Sequence, residues 1–150
     1  MLFISIKRSR PKRRELYAQE GIPDNIRRRI NGFRLAQLVR IGREFNKTPD
    51  GTRIVSEMKE GSAKLEKIVG AKGFIIEHPL DEKTRKLLSN PVVRKIASRQ
   101  SELKVKYFER LIEFTKTRKD IYKGHIGKLE QKLEEAKEEA MLLERDFKSL

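Results

Sequence analysis

The side chains with the clearest chemistry in this sequence are arginines and lysines whose spacing suits a polyanion. Residues 7–14 form a run of basic residues, interrupted by one serine and one proline, without a single apolar side chain. Because six like charges repel one another and Pro11 disrupts a helix, an extended arm that orders against phosphate is predicted here. The arm residues predicted to bind nucleic acid are Lys7, Arg8, Arg10, Lys12, Arg13 and Arg14.

A second set of cations follows the period of a helix. At 100° per residue, one line is shared by Asn25, Arg29, Gly32, Ala36, Arg40, Arg43 and Lys47. The long cations lie toward the ends of this line, and small residues occupy its middle. Small residues allow a close approach of the backbone, while guanidinium groups bind phosphate bidentately. The pattern predicts contact with a duplex backbone, on a surface broadened by Arg27, Arg28 and Arg34.

Two other interpretations of this helix stay open. It could be a surface helix with ordinary solubilising charge, although solvated faces usually mix both signs of charge. Its small residues could instead mark close packing against another helix, and Arg29 and Arg40 would then need carboxylate partners. On the other side of the helix, an apolar face is predicted from Ile26, Ile30, Phe33, Leu38, Ile41 and Phe45.

Catalysis finds little support in the sequence. His78 lies beside Glu77 in a predicted loop, and His125 lies near two glycines, without a second ligand at metal spacing. There is no cysteine, no nucleophile motif and no phosphate loop. We predict a protein that is not an enzyme, with no cofactor, metal or small-molecule substrate. Tyr17 and Tyr107 alone look free to stack on bases, which favours recognition of the backbone.

The overall charge agrees with a polyanionic partner. The 150 residues include 36 Lys and Arg against 22 Asp and Glu, for a formal net charge of +14. Nucleic acid is the first candidate partner, with double-stranded DNA favoured over RNA, and an anionic membrane surface is the second. No apolar run approaches the length of a membrane span, and the apolar start precedes its basic cluster, unlike a signal peptide. A protein that is not secreted, and is cytoplasmic or nucleoid-associated, is expected.

The charge distribution predicts three segments. Residues 1–20 form the basic arm, residues 21–128 a helical nucleic-acid-binding body, and residues 129–150 an acidic amphipathic helix with 7 acidic and 4 basic side chains. The fold class predicted is all-α, with a helix-turn-helix body. In residues 91–128, where 11 side chains are basic and 4 acidic, a secondary phosphate contact is predicted at Arg94, Lys95 and Arg99.

Local signals place the helices of the body. A first helix over residues 25–46 is predicted with Asp24 as its N-cap, and a second over residues 53–69 with Thr52 as its N-cap. Gly70 and Gly73 are predicted to end the second helix, and residues 74–76 to form a short strand or a loop pinned into the core. A small helix is predicted over residues 81–89.

The C-terminal part predicts one long helix. Asn90 and Pro91 are a strong start signal, and a bend or break is expected near Gly124 and Gly127. Beyond them a heptad seam is predicted to be a subunit interface with another copy or a paralogous subunit, formed by Ile126, Leu129, Leu133, Ala136, Ala140, Leu143 and Phe147. Packing of this helix back within the chain is the alternative.

This organisation resembles the coat proteins of filamentous archaeal viruses. The basic arm at residues 7–14, the face of Arg29, Arg40 and Arg43, and the C-terminal helix match that layout, and no sequence motif is involved. The resemblance implies helical subunits that wrap linear double-stranded DNA inside a virion. The mixed charge of residues 129–150 departs from the more apolar outer surface of such coats.

Two alternatives to a coat protein follow from the same features. A ribosomal or other ribonucleoprotein component commonly combines a basic arm with a helical body. A dimeric DNA-binding regulator would use the turn between the first two helices, with Arg53, Ser56 and Lys59 as the residues best placed to contact bases.

Overall fold

The computed structural model describes residues 6–7, 23–70, 72, 76–77 and 79–150, and its fold is all-α, as predicted. The helices are α1 (Asp24–Lys47), α2 (Pro49–Val69), α3 (Glu82–Leu88), α4 (Pro91–Lys116) and α5 (Gly124–Ser149). Two strands of two residues each, β1 (Ile6–Lys7) and β2 (Ile76–Glu77), pair in parallel, with Ile6 opposite Ile76.

The predicted caps of the first two helices are wrong. Pro23 precedes α1 without a side-chain cap, and Asp24 is already helical, its carboxylate bonding Arg27 one turn later. At the start of α2 the cap is Thr48, whose hydroxyl accepts from the amide of Gly51 at 3.1 Å. Thr52 lies inside α2, where its hydroxyl donates to the carbonyl of Asn46. Since Pro49 is favourable in a first turn, α2 begins four residues before the predicted start.

Other helix ends agree with the sequence. Gly70 ends α2 in the left-handed conformation, with φ 75°, and it is the residue best suited to that conformation. Gly73, also predicted at this end, lies outside the described residues. Asp81 caps α3, and hydrogen bonds from Thr84 hold the pKa of the Asp81 carboxyl below its usual value. Asn90 caps α4 by accepting from the amide of Val92 at 2.9 Å.

The predicted long C-terminal helix is two helices. α4 ends at Lys116, residues 117–123 follow, and α5 begins at Gly124, so the break precedes the glycines that were expected to cause it. The hydroxyl of Thr117 donates to the carbonyl of Phe114 at 2.7 Å, which satisfies one of the free carbonyls at the helix end. The reversal brings α5 back along α4, so that both helices bury their apolar sides.

Three clusters of buried side chains follow one another along α4. Val93 and Ala97 pack at its start, Leu103 at its middle, and Leu111 and Ile112 toward its end. At 1.5 Å per residue, Val93 in the first cluster and Ile112 in the last lie about 29 Å apart along the helix. Helix α4 contacts α1, α2, α3 and α5, and so it is the element that fixes the relative positions of the others.

The heptad seam of α5 packs within the chain. Leu129, Ala136 and Leu143 are each 2% exposed, and Leu133 and Phe147 pack against the same clusters, whereas Ile126 and Ala140 are half-buried. In the structure this helix therefore packs back within its own chain, which was the alternative to a subunit interface. Seam side chains that fill the core of their own chain are not offered to a second subunit in this conformation.

Candidate nucleic-acid interface

The two sides of α1 have opposite surroundings. The line predicted to contact phosphate is exposed along its whole length, at Asn25, Arg29, Gly32, Ala36, Arg40, Arg43 and Lys47. On the other side Ile41 and Phe45 are each 2% exposed in the core. The C-terminal half of α1 is thereby anchored, and the line of small and basic residues faces outward. We call these seven residues the arginine face.

Aromatic contacts hold the anchored half. The ring of Phe45 meets Tyr107 edge-on at 5.4 Å and lies 5.6 Å from the ring of Phe114. The hydroxyl of Tyr107 donates to the side-chain oxygen of Asn46 at 2.9 Å, and burial raises the pKa of this tyrosine. Tyr107 is therefore part of the packing between α1 and α4, and the prediction that it is free to stack on bases is wrong. Tyr17 lies outside the described residues.

The N-terminal half of α1 is less covered than the sequence predicts. Phe33 is 79% exposed and Ile26 is 45% exposed, although both were placed on a buried apolar face. Among the described residues, side-chain contacts from α4, α5 and the segment between them reach α1 from Arg34 onward, at Arg34, Gln37, Leu38, Ile41, Glu44, Phe45 and Asn46. Since contact with the body begins near the middle of the helix, periodicity alone overestimated the buried length.

The arginine face has no carboxylate partners among the described residues. No ion pair among these residues involves Arg29, Arg40 or Arg43, and none involves the neighbouring Arg28. Arg27, by contrast, pairs with Asp24. The close packing of two helices at this face would require partners for Arg29 and Arg40, and the described part of the chain supplies none.

Several cations on the other helices are paired. Arg99 donates to Glu57 at 2.7 Å and to Glu102 at 3.1 Å, and these carboxylates raise its pKa while Arg99 lowers that of Glu57. Arg118 bonds Glu44. The prediction that Arg99 contacts phosphate is therefore poorly supported, because a phosphate would have to displace two carboxylates.

The other predicted contacts are not gathered at the arginine face. Arg94 is half-buried and Lys95 is exposed, and both lie in the first turns of α4, at the end remote from α1. Lys7 belongs to β1, where its backbone is opposite Glu77. The side chain of Lys7 lies outside the described part of the chain, as do Arg8, Arg10, Lys12, Arg13 and Arg14.

A polar contact that the sequence did not reveal fixes α1 to residues 117–123. The amide group of Gln37 donates to the carbonyl of Asp120, and its oxygen accepts from the backbone of Tyr122, both at 3.3 Å. The same oxygen lies 2.8 Å from Nε2 of His125, which is 2% exposed. Arg34, predicted to contact phosphate, stacks on the Tyr122 ring at 3.9 Å. The sequence signal was slight: one glutamine at the border of an apolar face.

Burial of His125 predicts a dependence of stability on pH. Burial lowers the pKa of this imidazole from its usual 6.5, and the charges of Lys128 and Arg34 lower it further. The folded state therefore favours neutral His125. Its contribution to stability is complete above about pH 6.5 and is lost as pH falls through the lowered folded pKa.

We expect the melting temperature, followed by circular dichroism, to fall between about pH 7.5 and 5.5, and to fall less in His125→Asn, whose amide can still donate to Gln37. Equal losses in both proteins would show that another group titrates in this range.

Comparison of the chain with models of protein families, with curated proteins and with solved structures finds no match. None of the helices in the described residues is both long and apolar enough to cross a membrane.

Proposed function

We propose that this protein is a structural nucleic-acid-binding protein that coats or packages double-stranded DNA through its phosphates. The observation that supports this most is the arginine face: exposed cations without carboxylate partners among the described residues, on a helix anchored by its other side. Arginines that served solubility alone would be expected to mix with acidic residues, as they do on α4. Unpaired guanidinium groups on a helix whose C-terminal half is anchored are instead suited to a polyanion.

The middle of the arginine face allows close approach. A methyl group added at Gly32 would meet nothing within 4 Å, and Ala36, one turn later, is exposed. A duplex could therefore approach the helix backbone between Arg29 and Arg40, whose side chains reach phosphates on either side. Because the middle of the exposed line carries no polar side chain, binding through the sugar-phosphate backbone, with weak sequence preference, is the proposed mode.

The resemblance to filamentous virus coats adds a specific form of this proposal. Subunits would line up along a linear duplex at a fixed footprint and enclose it in a virion. A ribonucleoprotein component remains the alternative, and it would bind structured RNA in preference to duplex DNA. Affinity for either polymer should fall steeply with salt, since bound phosphates release their counterions.

The proposal is tested with the full chain, three linear duplexes of unrelated sequence and a structured RNA. We expect similar affinities for the three duplexes, weaker binding to the RNA, and regular nucleoprotein rods in electron micrographs at saturation. A strong preference for the RNA would favour a ribonucleoprotein component. A strong preference for one duplex would favour a regulator, and either result would contradict the proposed mode.

A matched pair of variants tests the close approach at Gly32. Gly32→Ala keeps the surface small and should bind duplex as the wild type does. Gly32→Leu adds bulk at the same exposed site, and we expect it to lower affinity by about tenfold or more without lowering the melting temperature, because leucine is a better helix former than glycine. Equal affinity of the two variants would show that the duplex does not approach this point.

A further inference from the structure

A second group of exposed cations lies at the other end of α4. It comprises Lys64, Lys67, Lys72, Lys83, Arg85 and Lys86, which we call the lysine end. Lys83 and Lys86 line a groove of about 300 Å³, together with Ile68 in the last turn of α2 and Val93 in the first turn of α4. Leu65 of α2 and Leu88 of α3 lie in one buried cluster, so the end of α2 and helix α3 pack side by side. The six cations, spread over 23 positions of the sequence, are therefore gathered at one end of the fold.

The lysine end resembles the arginine face in its lack of partners. Ion pairs among the described residues include none of its six cations. The acidic side chains nearby are fewer, and one of them, Asp81, is engaged as the cap of α3. A surface with this excess of unpaired positive charge attracts anions, and it repels the arginine face of a second copy.

Between the two ends, several arginines form ion pairs within the chain. Arg99 pairs with Glu57 and Glu102, and Arg110 lies 3.4 Å from Glu113 and 3.7 Å from Asp50. The side chains of Glu102 and Glu113 are 66% and 69% exposed. Phosphates laid along this middle region would meet those carboxylates. A single duplex that contacts both ends is therefore disfavoured.

We propose that the lysine end binds a second segment of nucleic acid, so that one chain bridges two duplexes. This inference rests on the proposed function, because the arginine face is taken as the site of the first duplex. Lysine binds phosphate as a point charge on a flexible stem, which suits a contact without a fixed register. Bridging would draw neighbouring DNA segments together and compact them.

A capture experiment tests the bridge with the full chain. One duplex is fixed to beads, the protein is added, and retention of a second, labelled duplex is measured. In the variant Lys67→Gln, Lys83→Gln and Lys86→Gln we expect affinity for a dilute single duplex within about twofold of wild type. Retention of the labelled duplex should fall by about tenfold or more. Each lost phosphate contact lowers the association constant for the second duplex by roughly eightfold for a tenfold change in salt concentration.

The matched control removes three exposed cations that lie away from the lysine end, by Arg110→Gln, Lys116→Gln and Lys137→Gln. It lowers the net charge equally and should retain the labelled duplex as the wild type does. If this control loses retention to the same extent, net charge is the cause and the assignment to the lysine end is overturned.

Five further outcomes would overturn the bridge. The first is a wild type that binds one duplex yet captures no second. The second is a lysine variant that loses single-duplex affinity, which would place both ends on one duplex. The third is a lysine variant that retains full capture, which would point to bridging by self-association. The fourth is an oligomer, seen by sedimentation without DNA, that the lysine variant abolishes, since this end would then be a protein contact. The fifth is a wild type that binds no duplex at all, in which case the proposed function fails, and the bridge with it.

Discussion

Replacement of Arg29, Arg40 and Arg43 by glutamine should lower affinity for any linear duplex by about 500-fold at 0.1 M salt. Each phosphate contact contributes about 0.9 to the slope of log K against log salt, or roughly eightfold between 1 M and 0.1 M. Three contacts multiply to the expected loss. The three side chains are exposed and have no ion-pair partner among the described residues, so folding should not change. Fluorescence anisotropy with labelled duplexes measures the effect.

The control for this variant is the triple substitution of Lys137, Arg145 and Lys148 on α5, which removes the same net charge from the surface that faces away from α4. We expect this control to lower affinity by less than about threefold, through the general field of the protein alone. Similar losses in the two variants would mean that overall charge, and no particular face, governs binding.

Among the substitutions considered, Gly51→Ala should cause the largest loss of stability, lowering the free energy of unfolding by about 3 kcal/mol or more. A Cβ at this buried position would overlap the carbonyl oxygen of Phe45 and lie 2.8 Å from its carbonyl carbon. Both are backbone atoms at the end of α1, which the cap of Thr48 holds against the start of α2. Relief of the overlap would require the two helices to separate, and α1 would then lose its orientation on the body.

Gly127→Ala is the matched control for Gly51→Ala, because a Cβ at Gly127 in α5 would meet nothing within 4 Å. Alanine is a better helix former than glycine, so the free energy of unfolding of this variant should rise by about 0.5 to 1 kcal/mol. Urea unfolding followed by circular dichroism gives both values. A Gly51→Ala protein as stable as wild type would show that α1 and α2 do not meet as closely as described.

Local signals in the sequence were sufficient for most helix boundaries. Asn90 with Pro91, and Gly70, act through contacts within one turn, and these boundaries were predicted correctly. The predicted N-caps Asp24 and Thr52 were wrong because another residue shortly before each of them is the N-cap, Pro23 for α1 and Thr48 for α2. Residues that can cap are common, and the geometry of the turn decides which of them does.

The break between α4 and α5 shows a different limit. Gly124 and Gly127 suggested a bend, but glycine is tolerated inside a helix, and Gly127 is in fact helical. The chain turns at residues 117–123 because the reversal buries the apolar sides of two helices against each other. The stabilisation from this burial depends on contacts between residues distant in sequence, such as Leu111 and Leu129, and a local sequence pattern does not reveal such contacts.

The sequence predicted which residues of the candidate interface share one line of a helix. It did not predict which of their charges lack ion-pair partners in the folded chain. Helical spacing alone grouped Arg29, Arg40 and Arg43. Pairing of Arg99 with Glu57, 42 residues away, depends on how α2 and α4 pack, and so does the lack of any such partner on α1. The contact of Gln37 with His125 spans 88 residues and was equally hidden. Long-range packing thus decides which cations are free for a partner.

The salt dependence of duplex binding is the measurement that tests most directly whether the arginine face contacts phosphate. Association constants for wild type and for the triple glutamine variant of Arg29, Arg40 and Arg43 are determined from about 0.05 to 0.3 M salt. We expect the slope of log K against log salt to be less steep in the variant by about 2.7. Equal slopes for the two proteins would contradict it, since these three side chains would then displace no counterions.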